Sequence, residues 1–128
     1  MAYKLEWLDN DQTVLHLVME GEMTWEEFYE AMRELKNWVT SVDHPVSTIT
    51  DVGNAKPMSL SNVLKLKPAF ADKAENTRLS VVVGLPAFQQ TMVNLFTNLY
   101  KQLAGEVPIV FVKTMEEAQA LAAREIAK

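Results

Sequence analysis

Apolar and polar residues follow two periods along this chain, and the change between them predicts its secondary structure. A two-residue alternation, or a short β-branched run, is typical of a strand, and the turn at 9–12 predicts an antiparallel hairpin between the first two strands. Because a helical pattern follows the second strand, we expect the third to lie parallel to it. The predicted strands cover residues 3–7, 13–20, 46–51, 79–83 and 108–112.

Four segments with apolar residues at helical spacing predict helices. The first begins at a capping box, with Thr24 as N-cap and Glu27 at the third helical position. The second begins near Ser59 or Ser61, since a serine oxygen can accept an otherwise unpaired backbone N–H. The third carries the widest apolar stripe, and the fourth is alanine-rich and starts at a second capping box containing Thr114.

The order of these elements, β-β-α-β-α-β-α-β-α, predicts one α/β domain over residues 1–128. Its sheet is expected to be mixed and mostly parallel, with five strands, four helices and the N-terminal strand antiparallel at one edge. An apolar content of 48% and a charged content of 23% are typical of a soluble globular protein.

Composition argues against several classes of function. The chain has no cysteine, so it has neither disulfides nor thiolate chemistry. A net charge of −5 argues against nucleic-acid binding, which requires a basic face. No apolar run approaches the roughly 20 residues of a membrane helix, and the first residues do not resemble a signal peptide. We therefore predict a cytoplasmic protein without membrane contact.

The residues that could carry catalysis do not form a known arrangement. His16 and His44 are the only histidines and do not make a metal-ligand set. The chain has no G-x-S-x-G elbow, P-loop or dinucleotide-binding glycine motif. The glutamates of the first predicted helix are typical of a solvated face. We predict that the protein is not an enzyme and uses neither a cofactor nor a metal.

Three short sequences, together with the order of elements, carry a resemblance to a known family. They are Glu6-Trp7-Leu8-Asp9, Thr24-Trp25-Glu26-Glu27-Phe28-Tyr29 and Val42-Asp43-His44-Pro45-Val46. The chain resembles a divergent bacterial STAS domain, named for sulfate transporters and anti-sigma-factor antagonists and also called the SpoIIAA-like fold. The resemblance extends from Tyr3 to about Ile126, and it implies a non-catalytic interaction or regulatory module.

The family's functional signature falls between the third strand and the second helix. In anti-sigma-factor antagonists an aspartate closes that strand, and an Asp-Ser-Ser-Gly or Asp-Ser-Thr-Gly sequence at the helix start is phosphorylated on its first serine. Here Asp51 matches the strand-end aspartate, and Ser59-Leu60-Ser61-Asn62 occupies the helix start. Leu60 stands in the phosphorylated place, so Ser59 or Ser61 would accept a phosphate only after a shift of one residue. Both are therefore candidates for a phospho-acceptor or a helix cap.

The resemblance implies a switch loop and a protein partner, either a kinase or an anti-sigma-like protein. An alternative function is the binding of a small apolar ligand between the helices that follow strands three and four. A further alternative is a weak homodimer formed through exposed aromatic residues such as Trp38. The switch loop comprises Asp51, Gly53, Asn54, Lys56 and Asn62, and the ligand pocket would be lined by Met58, Phe70, Phe88 and Met92.

Overall fold

A computed structural model describes residues 3–56, 74–99 and 109–127, except for the side chains of residues 96, 97 and 99. Five strands and three helices lie in these ranges. The strands are β1 (Tyr3–Trp7), β2 (Val14–Gly21), β3 (Val46–Ala55), β4 (Thr77–Val83) and β5 (Ile109–Val112), and the helices are α1 (Trp25–Thr40), α2 (Ala87–Leu99) and α3 (Met115–Ala127).

The strands form one sheet in sequence order, from β1 at one edge to β5 at the other. β1 pairs antiparallel with β2, and the remaining neighbours pair in parallel. The α/β class and the five-stranded mixed sheet are confirmed. The sheet is mixed, with three parallel pairs and one antiparallel pair, and the described ranges contain three helices where the sequence predicted four. The hairpin contributes an antiparallel pair, and the predicted second helix falls within residues 57–73, outside those ranges.

One face of the sheet packs against α1. Leu15, Leu17 and Met19 alternate along β2 towards this face and are buried. They meet Ala31 and Val39, the two fully buried residues of α1. Burying a leucine side chain contributes about 1.5–3 kcal/mol, so this interface anchors α1 over the sheet.

The opposite face packs against α3. Ile49 and Val81, on the two central strands, are completely buried there together with Ala118 and Ala122 of α3. The two alanines lie four residues apart, on one side of the helix, and their small side chains allow the helix to approach the strands closely. Among the helices of the described ranges, none is long and apolar enough to cross a membrane.

The two capping boxes that the sequence predicts, at the starts of α1 and α3, each have a threonine as the cap. The Thr24 hydroxyl accepts from the Glu27 N–H (3.1 Å), and the Thr24 N–H donates to Glu27 Oε1 (3.1 Å), which confirms the capping box. The Thr114 hydroxyl accepts from the Glu117 N–H (3.2 Å), and it lies 3.2 Å from Glu117 Oε1. In this second cap the glutamate therefore contacts the hydroxyl of the capping residue.

The main difference from the predicted boundaries is at the end of β3. Val52–Ala55, predicted to begin a loop, continues the strand. The continuation pairs Asn54 with Glu20 and Ala55 with Gly21 after a register shift in β2. The Lys56 N–H then donates to the Gly21 carbonyl (2.8 Å), so β3 stays bound to β2 until β2 itself ends.

Candidate functional site

The carboxyl ends of the parallel strands form the edge at which α/β proteins usually bind ligands and partners. Asp51, Gly53 and Asn54 lie there on β3, and Lys56 follows directly. The Asp51 Oδ1 atom accepts a hydrogen bond from the Gly53 N–H at 2.9 Å. This local bond occupies one carboxylate oxygen and the Gly53 N–H, and Gly53 and Asn54 are both exposed residues.

Two glycines bring the ends of β3 and β4 into direct contact. Gly84, at the end of β4, has φ +80°, and a Cβ atom placed there would lie 2.8 Å from Gly53 Cα. The Gly84 N–H donates to the Val112 carbonyl (3.1 Å), which ties the same point to β5. A side chain at Gly84 would force these strand ends apart, because carbon atoms pack no closer than about 3.5 Å.

A shallow depression of about 450 Å³ opens between the end of β2, the start of α1 and Lys56. Its polar groups are already engaged: Thr24 and Glu27 form the capping box, and Lys56 Nζ lies 3.1 Å from Glu22 Oε1. Both ends of the lysine pair are largely solvent-exposed, and such a pair typically contributes under about 1 kcal/mol. The lining residues are Glu22, Met23, Thr24, Glu27 and Lys56.

The predicted site residues are only partly brought together. Asp51, Gly53, Asn54 and Lys56 lie at the carboxyl edge, the first three within β3. Phe88 is 68% exposed at the start of α2, and Met92 is half-buried in a cluster around Val93. These assignments of a switch loop and of a ligand pocket stay predictions. The other predicted site residues, Met58, Ser59, Ser61, Asn62 and Phe70, lie outside the described residues.

Sequence reasoning did not place Glu22, Thr24 and Glu27 at the carboxyl edge beside Lys56. The capping box was visible in the sequence, but its closeness to Lys56 depends on the continuation of β3 along β2. Residues 5–32 contain eight acidic side chains and neither lysine nor arginine. This run of acids was a signal that a basic residue from elsewhere would lie near the start of α1.

α2 carries the most apolar exposed surface of the described region. Phe88 and Leu95 are the exposed large apolar side chains there, at 68% and 49%. They are seven residues apart, so they lie on one face of the helix. The sequence from 79 to 100 contains no Asp, Glu, Lys or Arg. An exposed helix face without charges is typical of a contact surface.

Two side chains of the hairpin have displaced pKa values, one on β1 and one in the turn that follows it. A hydrogen bond donated to the Glu34 carboxylate, together with burial, raises the pKa of the Tyr3 hydroxyl well above its ordinary value of 10.0. Partial burial raises the pKa of Asp9, but hydrogen bonds from Thr13 and from the Val14 N–H outweigh it and lower that pKa from 3.8. Both groups hold the hairpin, since Tyr3 binds β1 to α1 and Asp9 closes the turn.

The histidine of β2 is buried in the sheet. His16 is 9% exposed, its Nδ1 lies 3.4 Å from Glu6 Oε1, and its Nε2 has no hydrogen-bond partner in the described region. Within residues 3–56, 74–99 and 109–127, no group of three or more His, Asp or Glu side chains could hold a metal ion.

A mixed five-stranded sheet with α1 on one face and α3 on the other is a SpoIIAA-like α/β fold, as the resemblance implied. Over 94% of its length the chain is similar to 92% of the crystal structure of an uncharacterized protein from the DUF3478 family with a SpoIIAA-like fold from Shewanella loihica PV-4. The TM-score is 0.60 and the sequence identity is 15%, so the likeness establishes the fold. No family model and no curated protein sequence matches the chain.

Proposed function

We propose that the protein is a non-catalytic, STAS-like interaction or regulatory module. The observation that supports this most directly is the uncharged face of α2, on which Phe88, near the start of the helix, and Leu95 are exposed. Full burial of a phenylalanine side chain contributes about 1.5–3 kcal/mol, so covering the exposed part of Phe88 alone would contribute roughly 1–2 kcal/mol to binding. The expected occupant is a protein surface with apolar side chains of its own.

The polar end of the same region would give such a contact its specificity. Gly84 ends β4 three residues before α2 begins, and it lies against Gly53. A partner that covers Phe88 would therefore lie near the exposed residues Gly53 and Asn54. Polar groups at this edge can fix the orientation of a partner, while the apolar side chains supply affinity.

The test places a charge at the centre of the proposed contact. A photo-reactive amino acid at position 88 should cross-link a protein partner in the native host, and the purified partner should bind the wild-type protein. Phe88→Asp should weaken that binding at least about tenfold, which corresponds to about 1.4 kcal/mol. Ala120→Asp is the matched control, because Ala120 is exposed on α3 and the added charge is the same. Equal binding by both variants would refute the proposed surface.

Regulation by phosphorylation is a separate part of the proposal. A phosphate at a helix start is favoured by the free N–H groups and the helix dipole, typically by 0.3–1 kcal/mol. Incubation with the anti-sigma kinases of the native host should then add phosphate to Ser59 or Ser61, detectable by peptide mass spectrometry. Unmodified peptides after this treatment would exclude the switch while leaving the α2 contact standing.

The small-ligand alternative predicts a different result. Phe88 and Met92 are four residues apart on α2, so an apolar molecule could contact both. Native mass spectrometry of protein purified from its host would then show a retained mass that denaturation releases. A spectrum of ligand-free protein, combined with a partner that Phe88→Asp releases, would favour the interaction module.

A further inference from the structure

The edge strand β1 has one side of its backbone unpaired by any described strand. β1 lies at the end of the sheet and pairs only with β2. The Leu8 N–H donates to the Val14 carbonyl in the same register that pairs Glu6 with His16. Since antiparallel residues alternate between bonding inwards and outwards, Lys4 and Glu6 also bond towards β2. The N–H and carbonyl groups of Tyr3, Leu5 and Trp7 therefore point away from the sheet.

The side chains of β1 form a pattern that is complementary to itself. The order is aromatic, basic, leucine, acidic, aromatic, with Leu5 at the centre. If a second copy pairs antiparallel about Leu5, Lys4 faces Glu6 of the second copy, and Tyr3 faces Trp7. Opposite charges and paired aromatics directly across two strands stabilise their pairing. Both charged residues are exposed, and the Glu6 carboxylate also lies 3.4 Å from His16 Nδ1 of its own chain.

We propose that β1 is a homodimer interface at which two copies join their sheets into one continuous sheet. A two-fold axis then passes between the Leu5 residues, and each Leu5 exchanges both backbone hydrogen bonds with Leu5 of the second copy. Lys4 and Glu6 form the non-hydrogen-bonded pairs, in which Cα atoms are about 4.5 Å apart and side chains are closest. The interface shares no residue with the surface proposed on α2.

The charges also select the register. Centring the pairing on Lys4 would place two lysines opposite each other, and centring it on Glu6 would oppose two glutamates. Like charges directly opposite are destabilising. Edge lysines are a common defence against strand pairing, but here Glu6 neutralises Lys4 in the Leu5-centred register. β5 at the other edge reads Ile-Val-Phe-Val and has no charge with which to select a register.

Charge reversal tests the pairing directly by sedimentation velocity and equilibrium over a range of protein concentrations. The wild-type protein should dimerise, and Lys4→Glu should raise the dimer dissociation constant about tenfold or more, since two attractive pairs become repulsive. The double variant Lys4→Glu/Glu6→Lys should restore dimerisation, because the charges are exchanged but remain opposite. Lys113→Glu, an exposed change of the same charge just after β5, is the control and should dimerise like the wild type.

A disulfide test reads the register without relying on charge. The chain has no cysteine, so any bond comes from the introduced residues. Mixing Lys4→Cys with Glu6→Cys protein under mild oxidation should give the mixed dimer rapidly, since the expected Cα separation suits a disulfide. Each variant alone should form far less. Three results would overturn the proposal. The first is a wild-type protein that stays monomeric to about 1 mM, a dissociation constant that corresponds to only about −4 kcal/mol. The others are a double variant that does not regain dimerisation and equal cross-linking in all mixtures.

Discussion

Asn76 is a single side chain that holds three parts of the chain together. It lies half-buried just before β4, and its Nδ2 group donates to the carbonyls of Val39, Val42 and His44 at 2.8, 3.2 and 2.9 Å. These carbonyls belong to the end of α1 and to the loop that leads into β3. We expect that Asn76→Ala detaches this corner from the sheet without altering the apolar core.

The expected loss in the free energy of unfolding follows from the number of protons on the Asn76 amide nitrogen. An amide nitrogen has two, so the two short bonds are fully formed and the third is shared. A net contribution of about 0.5–1.5 kcal/mol for each bond gives a loss of about 2 kcal/mol in Asn76→Ala. Asn76→Asp keeps the shape but replaces the donor by an acceptor that faces three carbonyl oxygens. Its loss should exceed that of the alanine variant by about 1 kcal/mol or more.

Urea unfolding followed by circular dichroism measures the loss of unfolding free energy in both variants. If the slope of this free energy against urea concentration equals that of the wild type, the unfolded state is unchanged. Asn10→Ala, an exposed turn residue, is the control and should lie within about 0.5 kcal/mol of the wild type. If Asn76→Ala were as stable as the control, the three bonds would not stabilise the fold. If Asn76→Asp were no worse than Asn76→Ala, the amide would not donate to these carbonyls.

Three further predictions concern the glycines and the two displaced pKa values. Gly84→Ala should destabilise the fold more than Gly21→Ala in urea unfolding, since both have positive φ and cost about 1–2 kcal/mol as alanine, but only Gly84 meets Gly53. Asp9 has a lowered pKa, so its contribution is present above pH 3.8 and is lost as the pH falls. The stability difference between wild type and Asp9→Asn should therefore shrink from pH 6 towards about pH 2. Tyr3 has a raised pKa, so its contribution is present below pH 10.0 and is lost above it. The difference between wild type and Tyr3→Phe should shrink from about pH 8 to pH 11, and a constant difference would contradict the role of the Glu34 bond.

The elements that sequence reasoning placed correctly are those specified by local interactions. The hairpin is closed by Asp9, whose carboxylate accepts from the N–H groups of Thr13 and Val14. The start of α1 is specified by Thr24 and Glu27, three residues apart. In both cases the residues that determine the structure are neighbours in the sequence, so their types and spacing are sufficient to predict it.

The continuation of β3 was missed because its cause is a distant pairing. Gly53 and Asn54 are typical loop residues, and on local grounds Asp51 ends the strand. Asn54 and Ala55 are held by Glu20 and Gly21 of β2, residues more than thirty positions away. The contact between Gly53 and Gly84 has the same origin. Both glycines are visible at predicted strand ends, but only the parallel register of β3 and β4 brings them together.

Trp38 shows how an apolar residue outside the main stripe finds its place. It lies next to Val39, which α1 buries against β2, and it was proposed as an exposed aromatic residue for self-association. Its ring lies 6.1 Å from that of Trp7, at an interplanar angle of 40°, so it covers the edge strand β1. The aromatic residue proposed for self-association therefore supports the strand that carries the proposed dimer interface, although its ring packs within its own chain.

The apolar stripe on α2 shows why a helical pattern alone does not distinguish a core face from a contact surface. Phe88, Met92 and Leu95 follow the spacing that predicted a core face, yet Val93 is the residue buried against Phe111 and α1. Periodicity identifies which side chains share a face of a helix, but cores and interfaces both use apolar stripes. The two are separated by exposure, which depends on how the helix is rotated over the sheet. With Phe88 and Leu95 turned outwards and no charge from 79 to 100, the stripe fits a contact surface better than a core.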